Sequence, residues 1–295
     1  MTKDTKRKRI IMAYIFLAPA LILLAVFVFY PVIAGLLLGF FKFDFLGQAE
    51  FIGLENFREA LGDSDFWLAM RHSITYLIVV PFIQVLSILM AIVLNRKIRG
   101  KSFFRAAYYI PVITSMVAVS ITWKWLLKSD GIVNSLLSAM GLIESPISFL
   151  NVPNLALYSV MFVTLWKGLG YYMIIYLAGL QSVPRQLEEA ARIDGARNWQ
   201  VWRYVTIPLL KPSILLCTVL SARAALKVFD EVYVMTGGGP MKSSLVANLY
   251  IYQTAFNDYR FGYAAALGFF LAIAIGIFTF INFKFLGGGR VNYNE

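Results

Sequence analysis

The chain has 295 residues, of which 59% are hydrophobic and only 15% charged, and its mean hydropathy is +0.70. A single soluble core of this size does not need so much apolar surface, and that surface falls in long runs, so lipid is the expected solvent. One cysteine, Cys217, and one histidine, His72, leave no internal disulfide and too few soft ligands for a zinc or iron–sulfur site; the net charge of +11 sits in short segments beside apolar runs, which argues against nucleic acid.

Crossing ~30 Å of hydrocarbon takes about 20 apolar residues per helix, and about six stretches qualify, so the expected fold is an all-α integral membrane protein. Residues 1–10 form a basic N-terminus with Lys3, Lys6, Arg7, Lys8 and Arg9. The first apolar run, Ile11 to Phe40, contains Ala18-Pro19-Ala20, which imitates a signal-peptide cleavage site. The run continues some twenty residues beyond that point, so it reads as an uncleaved span. Its "GLLLG" from Gly35 imitates a small-xxx-small helix contact, although ordinary apolar frequency accounts for it as well. Residues 11–71 thus comprise one span and a link, and residues 72–286 the main transmembrane domain. That domain holds runs at Ser73 to Leu94, Phe104 to Leu126, Leu155 to Leu180, Leu209 to Val232 and Ala264 to Leu286. His72, beside Arg71 at a span edge, reads as an interfacial polar residue.

Lys and Arg set the orientation. Besides the N-terminus, Arg96, Lys97, Arg99, Lys101 and Arg105 fill the link between spans two and three, and Arg185, Arg192, Arg197, Arg203 and Lys211 the link between spans four and five. With about six spans these segments share one side, the cytoplasm, together with both termini and the tail 287–295. Asp44, Glu50, Glu55, Glu59, Asp63 and Asp65 fall on the opposite side.

Span four carries Lys167 near its middle, flanked by Trp166, Tyr171 and Tyr172. The loop 181–211 then follows with "EEAARIDGARNWQVWRYVTIPLLKP" from Glu188. Pro184 suits a first helical turn, Glu188 and Glu189 lie toward the positive end of the helix and Arg192 toward the negative one. Leu187, Ala190, Ala191 and Asp194 share one face by spacing, shallow at the two alanines. Gly195 can leave the helix through positive φ, Asn198 is a reasonable cap for a second helix bearing Trp199 and Trp202, and Pro208 and Pro212 mark the return to the bilayer. The expected object is a rigid helix-turn-helix elbow; a plain solvated connector has the same residue types.

Span five is interrupted by Arg223 and Lys227, and with Asp230 and Glu231 these recur as one polar stripe if the helix is continuous. An unpaired charge inside a bilayer costs ~2.5–3.5 kcal/mol or more. Two accounts stand: Lys227 pairs with Glu231 and the rest snorkels outward, or Lys167 and Arg223 line a passage. "GGGPMKSS" from Gly237 imitates a phosphate-binding loop, but Met241 stands where that motif needs glycine and no βαβ unit surrounds it. It reads instead as an ordered outer loop.

"EAARIDG", followed after nine residues by "VTIP", resembles the loop of permease subunits of binding-protein-dependent ABC importers, whose pattern is Glu-Ala-Ala, Gly, then Ile-x-Leu-Pro. Glu189, Ala190, Ala191, Gly195 and Pro208 match; Val205 and Ile207 depart conservatively. "TLWKGLGYYMIIYLAGLQSVP", "LKVFDEVYVMTGGGP" and "FIGLENF" resemble the sugar-importing branch, the maltose- and glycerol-phosphate-type permeases. This resemblance implies the type I ABC importer permease fold in a bacterial or archaeal plasma (inner) membrane. It implies that Glu189 to Gly195, including Asp194, form the core of a coupling helix seated in a cytoplasmic ATPase subunit. The implied assembly adds a second related permease, two ATPase subunits that use ATP and Mg, and an external solute-binding protein; this chain itself would bind no cofactor and carry no catalytic or metal-ligating residue. Lys167, Arg223 and Lys227, with Trp166, Tyr171 and Tyr172 to stack on a sugar ring, are the pathway candidates, and cations suit an anionic sugar best.

Two other classes compete. An ion-coupled secondary transporter calls for intramembrane acids or inverted repeats of broken helices, and Asp230 and Glu231 sit toward the outer end of span five. A membrane enzyme lacks a partner for His72.

Overall fold

A computed structural model describes residues 3–44, 47, 49–95 and 99–285, with side chains from Ile11 to Lys284. Arg96, Lys97, Leu286 and the tail 287–295 lie outside the described residues, as do the side chains of the basic N-terminus. Five helices are long and apolar enough to cross a membrane: Ile11–Leu38, Ser64–Asn95, Pro153–Ser182, Lys211–Met235 and Phe261–Lys284. These are spans one, two, four, five and six.

Span three differs from the single straight helix expected. It consists of Lys101–Ile113 and Met116–Leu126, bent by 99°. Pro111 has no N–H to give its helix, and the Thr114 hydroxyl donates to the Ile110 carbonyl at 3.0 Å. Thr114 and Ser115 then take extended backbone, ψ 140° and 138°, before the second helix starts. Hydropathy averages over such a break because both halves are apolar.

Contacts divide the chain into two units. The first is Met1–Asp63 with Ile251–Phe270. Its long helix takes a π-helical turn at Ala25–Phe29, where Pro31 breaks the regular ladder. None of that span's apolar window is buried within the chain. Phe41–Lys42 pairs antiparallel with Glu50–Phe51, and Asn56 of the "GLEN" turn clamps the strand by donating from Nδ2 to the carbonyls of Gly39 and Phe41, both at 2.9 Å. In "GLLLG", Gly39 is closely approached, with the Phe57 ring 3.0 Å from where its Cβ would stand, whereas Gly35 faces open space. The two glycines therefore share no helix contact within this chain. Arg260 bridges Glu59 at 2.6 Å and lies over the Tyr263 ring at 4.3 Å.

The second unit is Ser64–Tyr250 with Leu271–Glu295. Spans two, four and five form its core, with Tyr76, Val160, Val163, Met173, Tyr176 and Cys217 fully buried. Span four meets the first half of span three at Gly170, where an added Cβ would stand 1.9 Å from the Tyr108 carbonyl oxygen. Glycine is required there by close approach. A buried polar knot ties the three core spans: Gln84 Nε2 donates to Ser221 Oγ at 2.7 Å and to the Cys217 carbonyl at 3.2 Å, and the Tyr176 hydroxyl donates to Gln84 Oε1. Buried amides need such partners, so the knot also fixes the relative register of the spans.

Candidate coupling elbow and translocation cavity

The polar loop folds as an elbow. Its first arm is Arg185–Ile193, and Pro184 stands just before it in extended backbone, ψ 121°, rather than inside its first turn. Asp194 ends the arm and Gly195 turns it at φ +84°. The Ala196 N–H reaches back to the Ala191 carbonyl at 2.9 Å and the Asp194 N–H to the Ala190 carbonyl at 3.0 Å, so the helix closes in a Schellman-type cap that needs the left-handed glycine. The second arm opens at Asn198–Val201, continues as a π-helical turn at Trp202–Thr206 and ends at Ile207–Leu209 with Pro208 in its first turn. Arg197, not Asn198, occupies the cap position; its N–H is satisfied by Gln200 Oε1 at 2.7 Å, a side chain long enough to reach back one turn.

Two residues outside the predicted set lock the arms together. The Thr206 hydroxyl, 1% exposed, donates to Glu188 Oε1 at 3.0 Å. Glu188 therefore turns inward, and Ala191 is half-buried beside it, while Glu189, Ala190 and Ile193 turn outward, Ile193 with 86% of its surface free. Of the expected outward face, Leu187, Ala190 and Asp194 are exposed and Ala191 is half-buried, on the side of the Glu188–Thr206 bond. Spacing alone cannot supply that bond.

A cavity of about 370 Å³ opens among spans two to five. Lys167, Tyr171, Tyr172, Thr164, Ser221 and Glu231 supply its polar lining. Three predicted pathway residues are elsewhere. Trp166 packs edge-on to Trp123, ring centroids 5.4 Å apart, and Arg223 and Lys227 are exposed and do not line the cavity. The single polar stripe fails because the helix breaks. Lys211–Leu226 ends at Lys227, whose carbonyl accepts from Asn248 Nδ2 at 3.3 Å, and a new helix starts at Asp230. Across that break Lys227 does not pair with Glu231. Glu231 instead is 8% exposed and accepts a hydrogen bond from Thr164 Oγ1 at 2.8 Å.

The loop after span five is ordered, as expected from its glycines. Gly237 and Gly238 have φ of +63° and +90°, and Ser244 Oγ lies within hydrogen-bond distance of Thr236 Oγ1, 2.8 Å, and the Gly239 carbonyl, 2.6 Å. Lys242 bridges Asp65 at 2.5 Å. His72 Nδ1 donates to the Leu245 carbonyl at 2.9 Å, which makes His72 a structural anchor of this loop.

Residues 67–287 match the family described as the binding-protein-dependent transport system inner membrane component. The chain belongs to that family. The permease is 36% identical to the lactose transport system permease protein LacF of Rhizobium radiobacter over 94% of this chain and 95% of the relative. It is 31% identical to the trehalose/maltose transport system permease protein MalF of Thermococcus litoralis, covering 95% and 92% of the two chains. Among solved structures it superposes on a chain of a bacterial ABC transporter involved in the import of the acidic polysaccharide alginate, with TM-score 0.81, 26% identity and coverage of 96% and 97%. The permease is therefore an all-α, multi-pass membrane subunit with the ABC importer permease fold, and its family is one of transporters rather than enzymes.

Proposed function

We propose that this permease forms one half of the translocation pathway of an ABC importer for a carbohydrate. A solute-binding protein delivers the sugar from outside, a second related permease completes the pathway, and two cytoplasmic ATPase subunits, which hold ATP and Mg, drive it from the plasma (inner) membrane. The basic links and both termini then face the cytoplasm, following the positive charge. Relatives named for lactose and for trehalose and maltose support the sugar class.

The elbow carries this reading. Its arms are capped at Gly195 and bonded through Thr206 and Glu188, so it moves as one body, and it offers Glu189, Ala190 and Ile193 to a partner. When ATP closes the ATPase pair, a rigid elbow transmits the displacement to spans four and five, which wall the cavity. Asp194, Ala191 and Pro208 set its geometry, while Lys167, Tyr171 and Tyr172 meet the sugar. Arg and Lys donors suit hydroxyls and aromatic faces suit the apolar side of a sugar ring.

Replacing Ala190 with Glu places a large charged group at the docking surface. In the complex co-expressed with its partner permease and ATPase subunits, this variant is expected to lose about tenfold or more of uptake, with ATP hydrolysis continuing. Unchanged uptake overturns the coupling role. Uptake that persists without any ATPase and collapses when the ion gradient is dissipated selects the ion-coupled reading instead, for which the buried Glu231 is the one favouring observation.

A further inference from the structure

Glu231 is the least expected group in the cavity. It is 8% exposed, lies in the fifth span, and lines the same space as Lys167. An acid so placed is costly unless its environment answers it.

The environment does answer it. Thr164 Oγ1 donates to Glu231 Oε1 at 2.8 Å. The same threonine oxygen is 2.6 Å from the hydroxyl of Tyr76, a side chain with no exposed surface. Thr164 has one hydroxyl proton, and with that proton given to Glu231, Tyr76 must be the donor to Thr164. Two hydroxyls in series thus point their protons at the carboxyl group, the arrangement that holds an acceptor in place. Glu231, on span five, is thereby tied to Thr164 of span four and through it to Tyr76 of span two at the cavity wall.

The consequence concerns charge. With Lys167 and Arg223 as the lining, the cavity would be cationic and suited to an anionic sugar. Arg223 is not part of the lining and Glu231 is, so the lining pairs one ammonium with one carboxyl group. A neutral sugar finds in such a wall both a donor and an acceptor for its hydroxyls. An anionic sugar meets one attractive and one repulsive group at short range, where a like charge weighs heavily in a partly dry site.

Resting on the carbohydrate reading, we propose that Glu231 is a specificity-determining residue, which makes this cavity select uncharged sugars over uronates and other anionic ones. In this respect the permease departs from the structurally similar importer of the acidic polysaccharide alginate.

The test uses the permease assembled with its partner subunits in lipid nanodiscs, without the binding protein, whose own preference would otherwise enter. Saturation-transfer NMR reads weak binding of two probes, maltotriose and tri-galacturonate. The parent is expected to favour maltotriose. Glu231→Gln should raise the binding of tri-galacturonate relative to maltotriose by about tenfold, and Lys167→Met should move the ratio the other way. A ratio that is the same in all three proteins, or a parent that favours tri-galacturonate, overturns the proposal while leaving the carbohydrate reading intact. Absence of a specific signal from either probe in all three proteins contradicts the carbohydrate reading itself, and the proposal with it.

Discussion

Gly170 shows how much one residue decides in this protein. A methyl group there would sit 1.9 Å from the Tyr108 carbonyl oxygen, so the half-helix Lys101–Ile113 and span four can touch only through a bare backbone. Gly170→Ala is expected to cost about 1–3 kcal/mol through overpacking, read as a lower unfolding midpoint in detergent when a thiol dye reports exposure of the buried Cys217. Gly195 is a different case. An added Cβ meets nothing within 4 Å, and only its φ of +84° demands glycine. Gly195→Val should therefore weaken coupling, at ~1–2 kcal/mol of strain, while Gly195→Asn largely preserves it; equal ATP-driven uptake by both variants would count against the left-handed turn as the cause.

At the scale of elements, the elbow and the broken fifth span behave in opposite ways. The elbow is over-determined: its cap, the Arg197–Gln200 contact and the Thr206–Glu188 bond all favour one geometry. Removing the hydroxyl with Thr206→Val takes a donor from the half-buried Glu188 carboxylate, a loss of ~0.5–1.5 kcal/mol because water can replace part of the bond. The expected readout is fewer sugars moved per ATP hydrolysed, restored by Thr206→Ser; full coupling in the valine variant would mean that the two arms are held by something else. Both the glycine exit and the helical character of this loop were legible, because they depend on neighbours within a few residues. So was most of the outward face, Leu187, Ala190 and Asp194; the inward turn of Glu188 and the half-burial of Ala191 were not, since the bond beside them joins residues 18 positions apart. In the fifth span the residue types were legible and their placement was not: four charges at helical spacing look like a stripe only on an unbroken helix. The break at Lys227 sends Glu231 inward and leaves Arg223 and Lys227 exposed.

The whole molecule can be tested for orientation through its cysteine content. Cys217 is the only cysteine in the sequence and is buried, so single cysteines placed at Met241, 89% exposed in the loop after span five, and at Ala190 in the elbow report their own side of the membrane. In intact cells an impermeant maleimide is expected to label Met241→Cys readily and Ala190→Cys only after permeabilisation. The reverse pattern would invert the topology and place the elbow beyond the reach of a cytoplasmic ATPase.

Hydropathy was enough to establish lipid as the solvent and the apolar runs that fold into five spans and one bent pair, and the local words around Gly195 were enough to establish the family, because both signals are carried by residues close together along the chain. Tertiary packing alone decided that Glu188 and Thr206 lock the elbow, and that Glu231 rather than Arg223 shares a cavity with Lys167. The reason is physical. Burying a helix in lipid depends on its average polarity, whereas the position of each polar group depends on which distant partner satisfies it.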